Sequence, residues 1–286
     1  MPVQAIKDKA AITGIGCTAF SRDSGTSVVN LAAEASLKAI SDAGLQPADI
    51  DGVITFRFFD DTASPVELCQ TLGIPRCNFQ SYDGLGGGWN CAAMLLAAMT
   101  IHAGVCRNVL VYRANNGHSE LHRLRQAGQG RPARTGQFLA PFGSMHAAAT
   151  FGHMATAHMA RYGTTTLDFA HLAVTQRKHA LLNRKAMMRE HLSIEDHQRS
   201  PWIIYPYRLL DCCLESDNGV AVVVTSAEQA RDLRQAPVYI MAGTGGSSGQ
   251  SSGLWETSGI KAASALYAGA GISAADVDFA ELYDPF

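Results

Sequence analysis

Nine consecutive apolar residues, Cys91 to Met99, sit inside a segment whose flanks read as a helix from Trp89 to His102, and they leave that helix no polar face. A helix of this kind is expected to be covered on all sides rather than laid on a surface. Before it the pattern predicts a strand ending near Tyr82 and a glycine turn (Gly84, Gly86, Gly87, Gly88); after it comes a strand from Asn108 to Arg113. Glycines there let another group approach the backbone, and the free N–H groups of the helix start favour an anion or a developing oxyanion. Upstream, Ala10 to Phe20 is a strand candidate, and Val28, Leu31, Ala32, Ala35 and Ala39 fall at helical spacing in Ser27–Ala43, with Gly44 as the stop. Val53 to Phe58 reads as a strand and Ser64 to Leu72 as a short helix begun through Pro65. Strands alternating with helices predict a layered α/β fold.

Residues 115–200 break this rhythm. They are polar, rich in Arg and His, and have loop composition around GQGRPARTGQ before helical segments at His146–Arg161 and Thr166–Lys185. We read them as an excursion between two sheet strands, of a size that usually covers or completes a binding site. Sheet material returns with a strand at Gly219–Thr225, a helix at Ala227–Leu233 and a strand at Val238–Ala242; the glycine–serine stretch from Gly243 to Gly253 reads as a linker. Past it, AGISAADVDFAELY (Ala270–Tyr283) repeats AGLQPADIDGVITF (Ala43–Phe56) at constant offset. Each copy reads as a helix stopped at glycine, an aspartate turn and a strand, so the chain is expected to be a duplicated α/β unit whose second copy needs about a hundred more residues to match the first.

Composition narrows the function. With 286 residues, 47% hydrophobic and 17% charged, the chain can bury a large core. A net charge of -2 and the lack of like-charge blocks give no pull toward nucleic acid or acidic membranes. No secretion signal or bilayer-length apolar run is seen, so the expected location is the cytoplasm. Seven cysteines (Cys17, Cys69, Cys77, Cys91, Cys106, Cys212, Cys213), odd in number and without a C-x-x-C pair, argue against a disulfide framework or a zinc ribbon. Trp89 stands where a dinucleotide fingerprint needs its third glycine, and His118–His122 lacks the zincin order, so no metal site is assigned. His146, His153 and His158 read as hydrogen-bonded or surface histidines, and Asp83 as a turn residue. Arg123, Arg125, Arg131 and Arg134 fit either a solvated loop or phosphate contacts.

Three stretches carry a family resemblance: the central Cys77–Ala114, the segment PYRLLDCCLESDNGVAVVVTS (Pro206–Ser226) and AELYDPF (Ala280–Phe286). Over nearly its whole length the chain resembles the thiolase superfamily, in particular its sterol-carrier and lipid-transfer branch. The resemblance implies an α/β fold of duplicated βαβαβαββ halves in an α-β-α-β-α stack. Residues 1–242 would form the first half, including the 115–200 insertion, and residues 243–286 a linker and the start of an incomplete second half. It also places the family's nucleophilic cysteine at Gly87, and a tyrosine, Tyr283, where the sterol-carrier branch has histidine. Without a thiolate no acyl group can be carried, and Cys91, one turn inside the helix, reads as an inert core cysteine. Loss of the nucleophile with a histidine-to-tyrosine exchange resembles the steroid side-chain-cleaving aldolases, which perform a retro-aldol reaction on β-hydroxyacyl-CoA thioesters.

In that chemistry Tyr283 and Asp284 are the expected catalytic residues, and the backbone N–H groups of Gly87 and Gly88 the oxyanion and substrate donors. Acting as a base at pH 7 would require Tyr283 to sit below the reference tyrosine pKa of about 10. The CoA thioester is the substrate and no resident cofactor is expected. The resemblance further implies a homodimer and an accessory zinc-ribbon/OB-fold subunit. Two other readings stay open at this point, an acyltransferase using Cys91 or a cysteine beyond residue 286, and a non-catalytic protein that binds lipid or acyl-CoA.

Overall fold

The computed structural model describes residues 6–57, 61–85, 87–120, 138, 140–143, 147–245 and 259–286. Its contacts gather into two units, Met1–His122 with Ser216–Ser248 and Ser258–Tyr283, and Arg123–Glu215 with Gly249–Thr257 and Asp284–Phe286.

The first unit is built on a six-stranded sheet. Its strands are β1 (Ala10–Cys17), β2 (Gly52–Arg57), β3 (Phe79–Leu85), β4 (Asn108–Asn116), β7 (Asp217–Ser226) and β8 (Val238–Tyr239), ordered β3-β2-β4-β7-β1-β8. β2 runs parallel to β3 and β4, while β7 is antiparallel to β4 and β1. Alternation along β4 sorts its side chains: Leu110, Tyr112 and Ala114 face a core with α1 (Val28–Ala43) and α2 (Pro65–Leu72), and Val109 and Val111 face one with α3 (Trp89–His102).

Local chemistry sets the helix ends. Ser27 and Ser64 accept hydrogen bonds from first-turn N–H groups, and Glu67 bonds back to the Ser64 N–H. Gly44 and Gly73 stop α1 and α2 in the left-handed conformation. Glycine lets α1 lie directly on strand backbone. A Cβ on Gly16 would stand 2.1 Å from the Ala35 carbonyl oxygen and 2.5 Å from the Ala39 nitrogen. Gly16→Ala therefore forces rigid backbone apart, and is expected to cost roughly 1–3 kcal/mol, read as a lowered thermal midpoint.

The expectation that α3 is covered on all sides is not met. Ala92, Ala93, Ala97, Ala98 and Ile101 are buried, but Cys91 and Met99 are exposed. One sheet can cover only the stripe that faces it, whatever the composition of the rest. The helix expected at Ala227–Leu233 forms only at Ala227–Ala230 (α7), and β3 continues to Leu85, so Asp83 lies in a strand and not in the turn.

The repeat is visible as geometry. The helix α8 (Gly259–Ala270) stops at left-handed Gly271 as α1 stops at Gly44. A 3-10 turn follows in each copy, at Pro47–Asp49 and Ala274–Asp276, and in each the aspartate accepts from the backbone three residues before it, Asp49 from Gln46 and Asp276 from Ser273, both at 2.8 Å. The copies then part. After Asp51 the chain forms β2, but residues 277–283 form no ladder among the described residues, because a strand needs a partner and none pairs with them.

The second unit contains α4 (Ala147–Tyr162), α5 (Thr166–Leu182), α6 (Ile194–Arg199) and the short antiparallel pair β5 (Trp202–Ile204) and β6 (Tyr207–Arg208). Its interior holds the pair His197–Asp211, with His197 fully buried and Nε2 and Oδ1 2.6 Å apart; the other Asp211 oxygen accepts from the Arg208 N–H at 2.7 Å. The argenines at 123, 125, 131 and 134, and His122 and His146, lie outside the described residues. His118 bonds the Arg22 carbonyl through Nδ1 at 2.7 Å, and the His158 ring packs at a tilt against Tyr162, with centroids 4.6 Å apart.

Candidate active site

Parallel strands point their carboxyl ends to one side, and there β3 runs into the glycine turn ahead of α3. Gly88 is the N-cap of α3 in right-handed conformation with no side-chain cap, and the Asn90 N–H turns back to the Gly87 carbonyl at 3.2 Å. The first turn thus presents backbone N–H groups that have no acceptor within the helix. Two aromatic rings press on this turn. A Cβ on Gly84, whose φ is +123°, would stand 2.6 Å from the Trp89 ring. A Cβ on Gly87 would stand 2.6 Å from Cζ and 2.7 Å from Cε2 of Tyr283. The phenol therefore occupies the space into which any side chain at position 87 would project, and Tyr283 as a residue is 67% exposed.

Gly87 and Tyr283 are thus brought together. Gly88 lies open, with nothing within 4 Å of where its Cβ would be. Asp284 belongs to the second unit, where it accepts from Gln176 Nε2 at 3.4 Å and lines a cavity of about 230 Å³ with Phe169, Leu172, Tyr207, Cys212 and Phe286. Burial, and after it the charge of Asp284, pushes the Tyr207 phenol up to about 12. Pro285 and Phe286 are held there: Cys213 N–H donates to the Pro285 carbonyl at 2.9 Å, and the Phe286 ring stacks on Tyr207 with centroids 5.3 Å apart.

Cys91 is exposed in the first turn of α3, which corrects its reading as a core cysteine: it falls on the side of the helix turned away from the sheet. Sequence reasoning also passed over two residues. Trp89 was weighed only as a break in a glycine fingerprint, yet its indole packs on Gly84. Arg57, opposite Leu85 in the β2–β3 register, sets its guanidinium 4.7 Å from the centre of the Tyr82 ring and puts a positive charge at the same strand ends. No single-sequence pattern marks either contact, since each joins residues through the fold.

The mixed sheet and the glycine turn ahead of an apolar helix are those of a thiolase-type fold. Solved structures of thiolases and thiolase-like proteins share the fold. No protein-family model matches the chain. It is 41% identical to the steroid side-chain-cleaving aldolase of Thermomonospora curvata, over 97% of this chain and 74% of that protein. It is 40% identical to the 17-hydroxy-3-oxo-4-pregnene-20-carboxyl-CoA lyase of Mycobacterium tuberculosis, over 98% of this chain and 76% of that one. A solved Ltp2–ChsH2(DUF35) aldolase superposes with a TM-score of 0.90 at 39% identity, covering 99% of this chain and 75% of that chain. The chain belongs to the steroid side-chain-cleaving aldolases and has a thiolase-type fold.

Proposed function

We propose that this chain is a carbon–carbon lyase that cleaves a β-hydroxyacyl-CoA bearing a steroid or similarly bulky hydrophobic group by a retro-aldol reaction. One observation carries the reading: the Tyr283 ring stands over Gly87, in the space of the missing nucleophile's side chain. A base takes the β-hydroxyl proton as the Cα–Cβ bond breaks. The bond's electron pair passes into the thioester enolate, and an acid then protonates Cα, leaving a ketone or aldehyde and a shortened acyl-CoA. No covalent acyl-enzyme is needed. Tyr283 handles the proton at the reacting oxygen, with Asp284 as the second proton-handling group, and the N–H groups at Gly87 and Gly88 hold the enolate oxygen.

The organisation as duplicated halves, with a second half beginning within 243–286, belongs to this reading and is supported by the matching turns at 44–49 and 271–276. So do a cytoplasmic setting and a homodimer. An accessory zinc-ribbon/OB-fold subunit is supported by the aldolase structure that pairs Ltp2 with ChsH2(DUF35). Among the described residues no helix is long and apolar enough to cross a membrane.

Exposure of Cys91 favours one competing reading, an acyltransferase with a displaced thiol. Incubation with a β-hydroxyacyl-CoA, alone and with the accessory subunit, decides between them. Cleavage to a carbonyl compound that survives Cys91→Ala within about threefold supports the lyase. Stoichiometric alkylation of Cys91 that abolishes thiolysis would make the chain an acyltransferase instead.

A further inference from the structure

Every residue that lines the cavity of the second unit belongs to that unit. Its deep part is aromatic: Tyr207 is buried, and the Phe169 ring lies at a tilt with its centroid 5.7 Å from that of Tyr207. Ala173 and Leu210, both half-buried, add to the apolar wall. The polar groups divide by depth. Those within are already bonded inside the unit. Asp211 accepts from His197 and from the Arg208 N–H, while the Cys212 thiol donates to the Arg208 carbonyl and the Tyr207 hydroxyl to the Phe151 carbonyl, both at 3.4 Å. Burial pushes the Tyr207 phenol up to about 12 and the Cys212 thiol up to about 11, so both stay neutral. The exposed groups are Gln176 and Asp284, joined by a hydrogen bond of 3.4 Å, long enough to be exchanged for one to a ligand.

We propose that this cavity is the subsite for the ring end of the substrate's acyl group, an uncharged fused-ring system whose polar edge meets Asp284 and Gln176 at the mouth. The assignment to substrate rests on the lyase reading given above. Size sets the number of rings. A cavity of about 150 Å³ holds a single benzene ring. At about 230 Å³ this one is roughly one and a half times as large, room for about two fused rings.

Charge and shape exclude the other parts of an acyl-CoA. The cavity has two carboxyl groups, Asp211 and Asp284, and among the described residues no lysine or arginine lines it. A phosphate placed there would be repelled and would find no cation to offset its lost hydration. A straight acyl chain is neutral but gives up rotamer freedom at every bond when it is held, whereas a fused ring system is rigid before it enters and presents flat faces to Phe169 and Tyr207. Because the deep polar groups have their partners within the unit, the inserted end needs no polar atom of its own, and one that brought a charge would bury it unpaired. Phe169, Leu172 and Ala173, on successive turns of α5, are thereby the residues that set which acyl groups fit.

The test uses the full chain and decahydro-1-naphthol, a neutral alcohol of two fused rings. Cys212 and Cys213 both line the cavity and fall in one tryptic peptide, 209–231, so their alkylation by iodoacetamide reports its occupancy, with Cys91 on α3 as the reference thiol. The alcohol is expected to slow labelling of the pair roughly fivefold and to leave Cys91 unchanged. Decahydro-1-naphthoate, the same skeleton with a carboxylate, should give no protection. Ala173→Phe fills the cavity, and Leu172→Trp does so from an exposed position that the fold tolerates; either should abolish protection. For a β-hydroxyacyl-CoA that carries a decahydronaphthyl group, both variants are expected to raise KM roughly tenfold with kcat within about threefold of wild type. Unprotected thiols, equal protection by the carboxylate, protection that survives both filling substitutions, or an unchanged KM would each overturn the proposal. Cleavage without protection would fail the subsite alone. Protection without cleavage would fail the lyase reading and, with it, the assignment of the cavity to substrate.

Discussion

Tyr283→Phe is expected to lower kcat for β-hydroxyacyl-CoA cleavage by roughly 10²–10³-fold, about 3–4 kcal/mol in the barrier, while KM and the thermal midpoint stay close to wild type. The split follows from what the substitution keeps. The phenylalanine ring retains the face that packs on Gly87, and a 67% exposed side chain contributes little to the core, so fold and turn survive. Only the hydroxyl is lost, and with it the group proposed to move the proton at the reacting oxygen. An unchanged kcat would remove Tyr283 from the chemistry and leave its contact with Gly87 as packing. A parallel rise in KM with kcat intact would make the hydroxyl a binding group.

Much of the first unit is legible in the chain because its determinants are local. Ser27 and Gly44 bracket α1, Ser64–Pro65 and Gly73 bracket α2, and β4 shows its two faces by simple alternation. The meeting of Gly87 with Tyr283 was reached by a different kind of inference, a family likeness that put the family's cysteine position at Gly87 and its histidine position at Tyr283. Spacing alone cannot join residues so far apart in sequence. What stayed hidden depends on neighbours. An apolar run tells how much of α3 can be buried but not how many sides of it are covered, so Cys91 read as core and stands exposed. The motif AELYDPF likewise reads as one site, yet Tyr283 is grouped with the sheet and Asp284 with the helical unit, whose cavity took shape only with Phe169, Tyr207 and Phe286 in place.

Gly87→Ala tests whether the glycine exists for the phenol. The backbone at 87 is outside the left-handed region, so alanine brings no strain of its own. What it brings is a methyl group 2.6 Å from Tyr283 Cζ, a separation that cannot stand. The exposed ring yields more cheaply than the helix start, so the phenol swings off the turn while the fold holds. A displacement of about 1 Å in a proton-transferring group is enough for a rate loss on the order of 10²-fold, and Gly87→Ala is expected to show that loss with little change in thermal midpoint. The decisive comparison is the double variant. If both substitutions act through one phenol hydroxyl, Gly87→Ala should cost no more than about twofold in the Tyr283→Phe background. Losses that multiply instead would mean that the alanine damages the backbone donors directly, and that glycine at 87 serves the enolate oxygen independently of the tyrosine above it.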